Sequence, residues 1–381
     1  MKGRTMRIFS LIIAAAVILG GCSKKAADTG VKPVRIGVVI ALSGSRAAGG
    51  EYARQAVEMW KEEVTARGGI LGRPVEIVYE DDGETEQSYM NAVVKTLSSN
   101  NVCAVYSDGF SDYVRMVSPE VARYEIAFMD NCSSQSVLDM NNRYIWINRM
   151  TDSVSSPTIA KACKEMLNMS RPAVLHVTDA FGEGLNGYLQ AAIKDLGLTV
   201  AADISFTIEE RQFTPYLVQV ANNRADGIIG LTHQEQGALI MRQVYAMQMG
   251  IPLMGCSQYA TATAIETAGE AANGWYTLAD WTNEVETLEG KKFVQDYIAK
   301  FNRPPDMQSV NAYDAMLIFE DAITRAATDE AKAVNDAIYK TKDLKGAMTT
   351  YSYDGSNTLA ETINLVQIVN GSGRLIDIVH R

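Results

Sequence analysis

From Val34 onward short β-branched runs alternate with longer stretches of helical periodicity, and this alternation, the mark of parallel βαβ layers, constrains the fold more than any other feature. Residues 34–42 read as a buried strand. Residues 51–67 follow with Ala53, Ala56, Val57, Trp60 and Val64 at helical spacing, closed by Gly68 and Gly69. Strand 73–82, helix 87–98 and strand 102–107 come next, then a helix over 111–124, expected to bend at Pro119, and strand 126–130. Around 148–156 the composition turns polar and a second series begins: helix 158–168, strand 173–177, helix 184–196, strands 198–206 and 227–231, helix 235–249 and strand 252–256. Two α/β units of similar size therefore lie in tandem without repeating in sequence. After Trp275 helices dominate (290–301, 308–327, 329–341), and two β-like stretches, 349–353 and 363–370, close the chain. Such tails return to complete earlier sheets, so each unit is expected to be discontinuous and the connections between them multiple.

The first residues speak to compartment. Lys2, Arg4 and Arg7 precede an uncharged apolar run over 8–19, too short for a comfortable membrane span, which reads as a secretory signal. Leu19-Gly20-Gly21-Cys22 resembles the lipobox of bacterial lipoproteins. Residues 1–21 are thus expected to be removed and Cys22 to carry a lipid, placing the protein on the periplasmic or extracellular face of a membrane. Residues 22–32, with Lys24, Lys25, Asp28 and Gly30, read as a tether. The formal charge of −10, with no basic block after the leader, argues against a nucleic-acid partner. Four further cysteines remain, Cys103, Cys132, Cys163 and Cys256. Export permits disulfides among them in three connectivities, whereas Cys103 and Cys163 fall on apolar faces and read as buried thiols.

Chemistry is sparsely encoded. His176, His233 and His380 include no pair at metal-ligand spacing, and no metal or cofactor is expected. There is no G-x-S-x-G elbow and no H-E-x-x-H helix, so an enzyme is not expected. Gly182-Glu183-Gly184-Leu185-Asn186-Gly187 fits G-x-G-x-x-G, but residues 178–181 intervene where a dinucleotide fingerprint turns at once. Ligands of open α/β sheets lie outside the carboxyl ends of the strands, which directs attention to the loops there. Asp108-Gly109-Phe110-Ser111 is one, with Ser111 placed to cap the following helix. Asn131-Cys132-Ser133-Ser134 is another, its small side chains leaving backbone groups reachable.

Gly68-Gly69-Ile70-Leu71-Gly72-Arg73-Pro74-Val75-Glu76 with Asp81-Asp82 resembles the branched-chain amino acid (Leu/Ile/Val) binding proteins, type I periplasmic binding proteins of ABC transporters. The resemblance continues through Ala41-Leu42-Ser43-Gly44, Val117-Ser118-Pro119, Phe181-Gly182-Glu183-Gly184, Arg303-Pro304-Pro305-Asp306, Ala312-Tyr313-Asp314-Ala315 and Tyr353-Asp354-Gly355. It implies an α/β fold of two doubly wound, Rossmann-like lobes, a Venus-flytrap joined by three hinge crossings near 148–151, 276–280 and 348–351. Lobe one would hold residues 33–149 and 279–349, and lobe two 150–278 and 350–381. The implied function is capture of an amino acid or similar small polar solute by a monomer that delivers it to an ABC permease with its ATPase subunits; a sensor or receptor of the same fold, or an amide, urea-like or small carboxylate ligand, is the alternative.

The same resemblance implies site roles. Ser111 would donate its hydroxyl and backbone N–H to a ligand carboxylate, the Cys132 carbonyl would accept from an ammonium, and the Ser134 hydroxyl would meet both ends. Phe181 stands where relatives often carry a tyrosine, and Thr232 replaces another aromatic, leaving His233 either to reach the cleft or to serve the structure. Ser257 stands where branched-chain amino acid binders place the glutamate that pairs with the ammonium. A neutral serine leaves that charge uncompensated at a cost of several kcal/mol, so either Asp108 or Asp130 substitutes or the ligand is not an α-amino acid. Gly49-Gly50 replaces bulk carried by some relatives and suggests extra room, beside Arg46, which either meets an anion or is solvated.

Overall fold

The computed structural model describes residues 31–381 except 84 and 100; the expected signal, Cys22 and most of the tether lie outside the described residues. In the first lobe β1 (Val34–Ile40), β2 (Val75–Asp81), β3 (Ala104–Ser107), β4 (Ala127–Asp130) and β5 (Ile145–Ile147) form a parallel sheet in the order β2-β1-β3-β4-β5. The helices between them are α1 (Ala47–Ala66), α2 (Glu86–Ser99), α3 (Ser111–Tyr124) and the short α4 (Gln135–Leu138). A strand covered on both faces needs apolar side chains in both directions. In β1, Val34, Ile36, Val38 and Ile40 face one core while Val39 faces a second core with Tyr89, Val93 and Phe128.

The second lobe repeats the plan with α5 (Asp152–Glu165), β6 (Ala173–Val177), α6 (Ala180–Asp195), β7 (Ala202–Phe206), α7 (Thr214–Asn222), β8 (Ile228–Leu231), α8 (Gln234–Ala246), β9 (Leu253–Gly255), α9 (Ala262–Ala268) and β10 (Tyr276–Ala279). The chain then returns to the first lobe through α10 (Leu288–Phe301), α11 (Met307–Ala326), α12 (Ala331–Ile338) and the two-stranded ribbon of β11 (Leu344–Lys345) and β12 (Thr350–Tyr351). It ends in the antiparallel hairpin β13 (Thr362–Val369) and β14 (Ser372–His380), which extends the second sheet to the order β14-β13-β10-β9-β8-β6-β7.

Three segments connect the lobes: β5 to α5, β10 to α10, and the run into β13. Tyr351, Leu359 and Ala360 pack in the first lobe's core and Ile363 in the second's. Residues 350–360, assigned to the second lobe from the sequence, therefore belong with the first, and the third crossing lies near 361 rather than 348–351. The bridges Ile147↔Thr358 and Tyr351↔Ala360 hold that stretch. Two local expectations also move. Helix α6 begins at Ala180 rather than 184, so Gly182 and Gly184 lie inside a helix; a Cβ on Gly184 would stand 2.4 Å from Asp152 Oδ2. The final strand β14 is additional to the two β-like stretches read from the sequence.

Candidate functional site

In each sheet the strand order reverses once, between β1 and β3 and between β6 and β8, and the loops leaving the carboxyl ends beside these points face one another. Between them lies a cleft of about 790 Å³. Its first-lobe wall comes from Ser45, Arg46 and Gly49 after β1, Asp108 to Ser111 and Tyr113 after β3, Asn131 to Ser133 after β4, and Met307 and Gln308 at the start of α11. Its second-lobe wall comes from Phe181, the stretch Ile208, Glu209 and Arg211, the start of α8 from His233 to Gln236, and Gln258, Thr263 and Thr267. Arg149, in the first crossing, closes the floor.

Two helices aim their N-termini here. In α3 the first ladder bond is Val114 N–H to Phe110 O (3.0 Å), and in α8 it is Gly237 N–H to His233 O (2.9 Å). The N–H groups ahead of these are not used by the helices and present partial positive charge to the cleft. Ser111 is the first residue of α3, with Phe110 in the cap position and no side-chain cap, so the capping role read from the sequence is not the one it has; its side chain lines the cleft instead.

The charged groups are largely matched. Arg46 lies 4.5 Å over the Phe110 ring, donates to Asp108 O (3.0 Å) and pairs with Asp82. Arg211 makes a two-point pair with Glu235 at 2.9 Å. Arg149 donates to Asn131 O (3.2 Å), to Ser257 Oγ (2.5 Å) and to Asp280 Oδ2 (2.5 Å). Only 4 % of the Arg149 side chain is exposed, and its Nε has no hydrogen-bond partner among the described residues. Asp108 remains half-buried on the wall with one neutral donor, Asn131 Nδ2 at 3.1 Å.

Of the other expected site residues, Cys132 lines the cleft while its N–H donates to Asp130 Oδ1 at 2.6 Å. Asp130 is buried behind the wall, where it also accepts from Gly109 N–H, and burial pushes its carboxyl up to about 7. It shapes both loops and does not reach the ligand space, which leaves Asp108 of the two carboxylates. Ser134 is fully buried off the cleft, donating to Ala180 O of the opposite lobe at 3.0 Å, and Ser133 takes the wall position. Thr232 is likewise fully buried, donating to His233 O. Ser257 sits beside a neighbouring pocket of about 10 Å³, room for one water at most. Phe181 and His233 do line the cleft, their rings stacked at 4.9 Å, with Phe110 of the other lobe edge-on to His233 at 4.9 Å. His233 Nε2 lies 2.6 Å from Asp179, which caps α6 through Gly182 N–H; burial opposes ionisation of Asp179, but the His233 bond and the backbone donors hold its carboxyl below the usual range.

The sequence reading passed over Arg149, Asn131, Arg211 and the glutamines Gln234, Gln236, Gln258 and Gln308. A basic residue two positions after the buried run Ile145-Trp146-Ile147 was the available signal for Arg149. Gln308 comes from a helix far along the chain, and nothing local marks it. Among the described residues Cys103, Cys132, Cys163 and Cys256 are free and buried, and no metal-holding cluster of His, Cys, Asp or Glu occurs.

The family model for periplasmic binding proteins matches residues 33–373, nearly the whole described body. The chain belongs to the periplasmic binding protein family. Members of this family are solute-binding proteins, and the clamp described above is their fold. Among similar proteins is the Leu/Ile/Val-binding protein homolog 3 of Brucella melitensis biotype 1, 26% identical over 363 residues covering 91% of this chain and 93% of the relative. The substrate-binding protein of a branched-chain amino acid transporter from Streptococcus pneumoniae, solved with isoleucine, superposes with a TM-score of 0.85 at 21% identity, covering 92% of this chain and all of the other. A solute-binding protein of an ABC transporter from R. palustris, solved with benzoate, superposes at 0.83 with 17% identity, covering 92% and 97%.

Proposed function

We propose that this periplasmic binding protein is exported, held at a membrane by a lipid on Cys22, and captures a small carboxylate-bearing solute for an ABC permease and its ATPases, acting as a monomer. The observation that carries this reading is the cleft itself: about 790 Å³ of space between two sheets' carboxyl ends, faced by the unused N–H groups of α3 and α8 and by Ser111. Donors of that kind fit a carboxylate. Proteins similar to it in sequence carry Leu/Ile/Val-binding names, which supports transport of an amino acid. In that case Asp108 takes the ammonium, being the half-buried acid on the wall without a cationic partner.

A second ligand reading follows from one contact. Where an ammonium-binding glutamate is expected, Ser257 accepts a hydrogen bond from the Arg149 guanidinium, which favours a carboxylate with no neighbouring ammonium, such as the benzoate of the R. palustris complex. Calorimetry on the domain from residue 31, with branched-chain amino acids against benzoates, separates the two. Amino-acid binding that is lost in Asp108→Asn supports the first reading; binding of benzoates alone supports the second; no binding of either class sinks both.

A further inference from the structure

Adjacent glycines Gly49 and Gly50 lie in the first turn of α1 and are there for different reasons. A Cβ on Gly50 would sit 1.7 Å from Ala41 O, so close packing of α1 on the end of β1 requires it. The three atoms nearest a Cβ on Gly49 would all belong to the Gln308 side chain, at 3.6 to 3.7 Å, which is ordinary contact. Glycine is a poor residue inside a helix, and none of the atoms nearest a Cβ on Gly49 would clash with it. Gly49 and Gln308 both line the cleft, and the missing side chain leaves no Cβ between them there.

Gln308 is 6 % exposed, and its Oε1 is buried without a hydrogen-bond partner among the described residues. A buried amide left in that state is costly, and its two ends are close to interchangeable, so it calls for a group that both gives and takes hydrogen bonds. The opposite wall has the same character. The start of α9 is joined to the start of α11 by Ala262 N–H to Asp306 Oδ1 at 3.0 Å, and Thr263, Thr267 and Gln258 line the cleft from that side.

We infer that the cleft runs past the carboxylate end into a polar arm between α1, α9 and the start of α11, and that the ligand is a carboxylate carrying a hydroxyl or amide at its far end, read by Gln308. This rests on the carboxylate-binding reading above and narrows it to acids with a polar tail rather than aliphatic or plain aromatic ones. Gln308 is the specificity-determining residue, and Gly49 keeps its access open.

The test is calorimetry on the mature protein with two matched pairs, glutamine against leucine and 4-hydroxybenzoate against benzoate. In the pair that binds, the polar member is expected to bind about tenfold more tightly, the factor an unpaired buried polar group commands. Gln308→Leu is expected to erase that advantage, bringing the polar member's affinity to that of its apolar partner. Gly49→Val, whose Cβ would stand against the Gln308 side chain, is expected to weaken the polar member, and serves if Gln308→Leu does not fold. An apolar member that binds as tightly as its polar partner, or a ratio unmoved in both variants, overturns the inference and leaves carboxylate binding standing. Absence of binding by all four acids overturns the carboxylate reading and this one with it.

Discussion

Arg149 is as buried as the aliphatic side chains around it, yet it carries a full charge and ties the crossings together. Its guanidinium comes from the first crossing, its partner Asp280 from the second, and Asn364 of β13, just past the third, donates to Asp280 O at 3.3 Å. Removing one member of a buried pair strands the other charge, a loss of about 3–5 kcal/mol, whereas replacing both with apolar groups costs far less. Arg149→Met is accordingly expected to lower unfolding free energy by about 3 kcal/mol, and Arg149→Met with Asp280→Leu to recover most of it in denaturant melts. Equal losses in the single and double variants would contradict the pairing.

Elements meet through a few groups with little tolerance. Because its Cβ would overlap Ala41 O, Gly50→Ala must push α1 off the end of β1, and a loss of about 1–3 kcal/mol in chemical unfolding is expected, in contrast to an unchanged or raised stability for Gly49→Ala. Asp314 on α11 anchors the stretch between β11 and β12, accepting from Ala347 N–H (2.7 Å), Met348 N–H (2.8 Å) and Tyr351 Oη (2.8 Å). Burial nevertheless pushes its carboxyl up to about 7, and does the same to Asp130 and Asp152. An unfolded aspartate ionises near pH ~3.9, so between that value and about 7 the folded chain keeps protons the unfolded chain has released. Stability from these groups therefore falls as pH rises through that window and levels off above it. The thermal midpoint is expected to be higher at pH 5.5 than at pH 8, and Asp314→Asn, where it folds, to show a shallower decline. A midpoint that climbs across the same range would contradict the assignment.

At the scale of the molecule, the lobes touch at the rim of the cleft through Ser134 to Ala180 O, Ala180 N–H to Asp112 Oδ2 (2.9 Å) and the Phe110–His233 ring contact. Ser134 thus acts on closure rather than on a ligand. Ser134→Ala is expected to weaken every ligand alike, by about 0.5–1.5 kcal/mol, the worth of one neutral hydrogen bond; a loss confined to one ligand class would restore a direct contact. The architecture was legible in the sequence because apolar runs such as Val34 to Ile40 and helical stripes such as Ala53, Ala56, Val57 and Trp60 follow from layers buried on both faces. The cleft was legible in part, since strand-end loops are local: Asp108, Ser111, Cys132 and Phe181 line it, as does His233, whose place the sequence left open. The rest was set by orientation and distant packing. One residue's shift along a loop exchanges Ser134 for Ser133, and Gln308 reaches the site only because α11 packs on α1.

The two glycines at the start of α1 also place stability and ligand choice under separate inheritance. Gly50 is held by a backbone oxygen that no neighbouring mutation removes, whereas Gly49 faces the Gln308 side chain on the cleft wall, and single-base changes of a glycine codon give alanine, serine, valine or larger side chains. If Gln308 reads the far end of the ligand, a single change at Gly49 would alter which ligand binds while Gly50 keeps the scaffold intact.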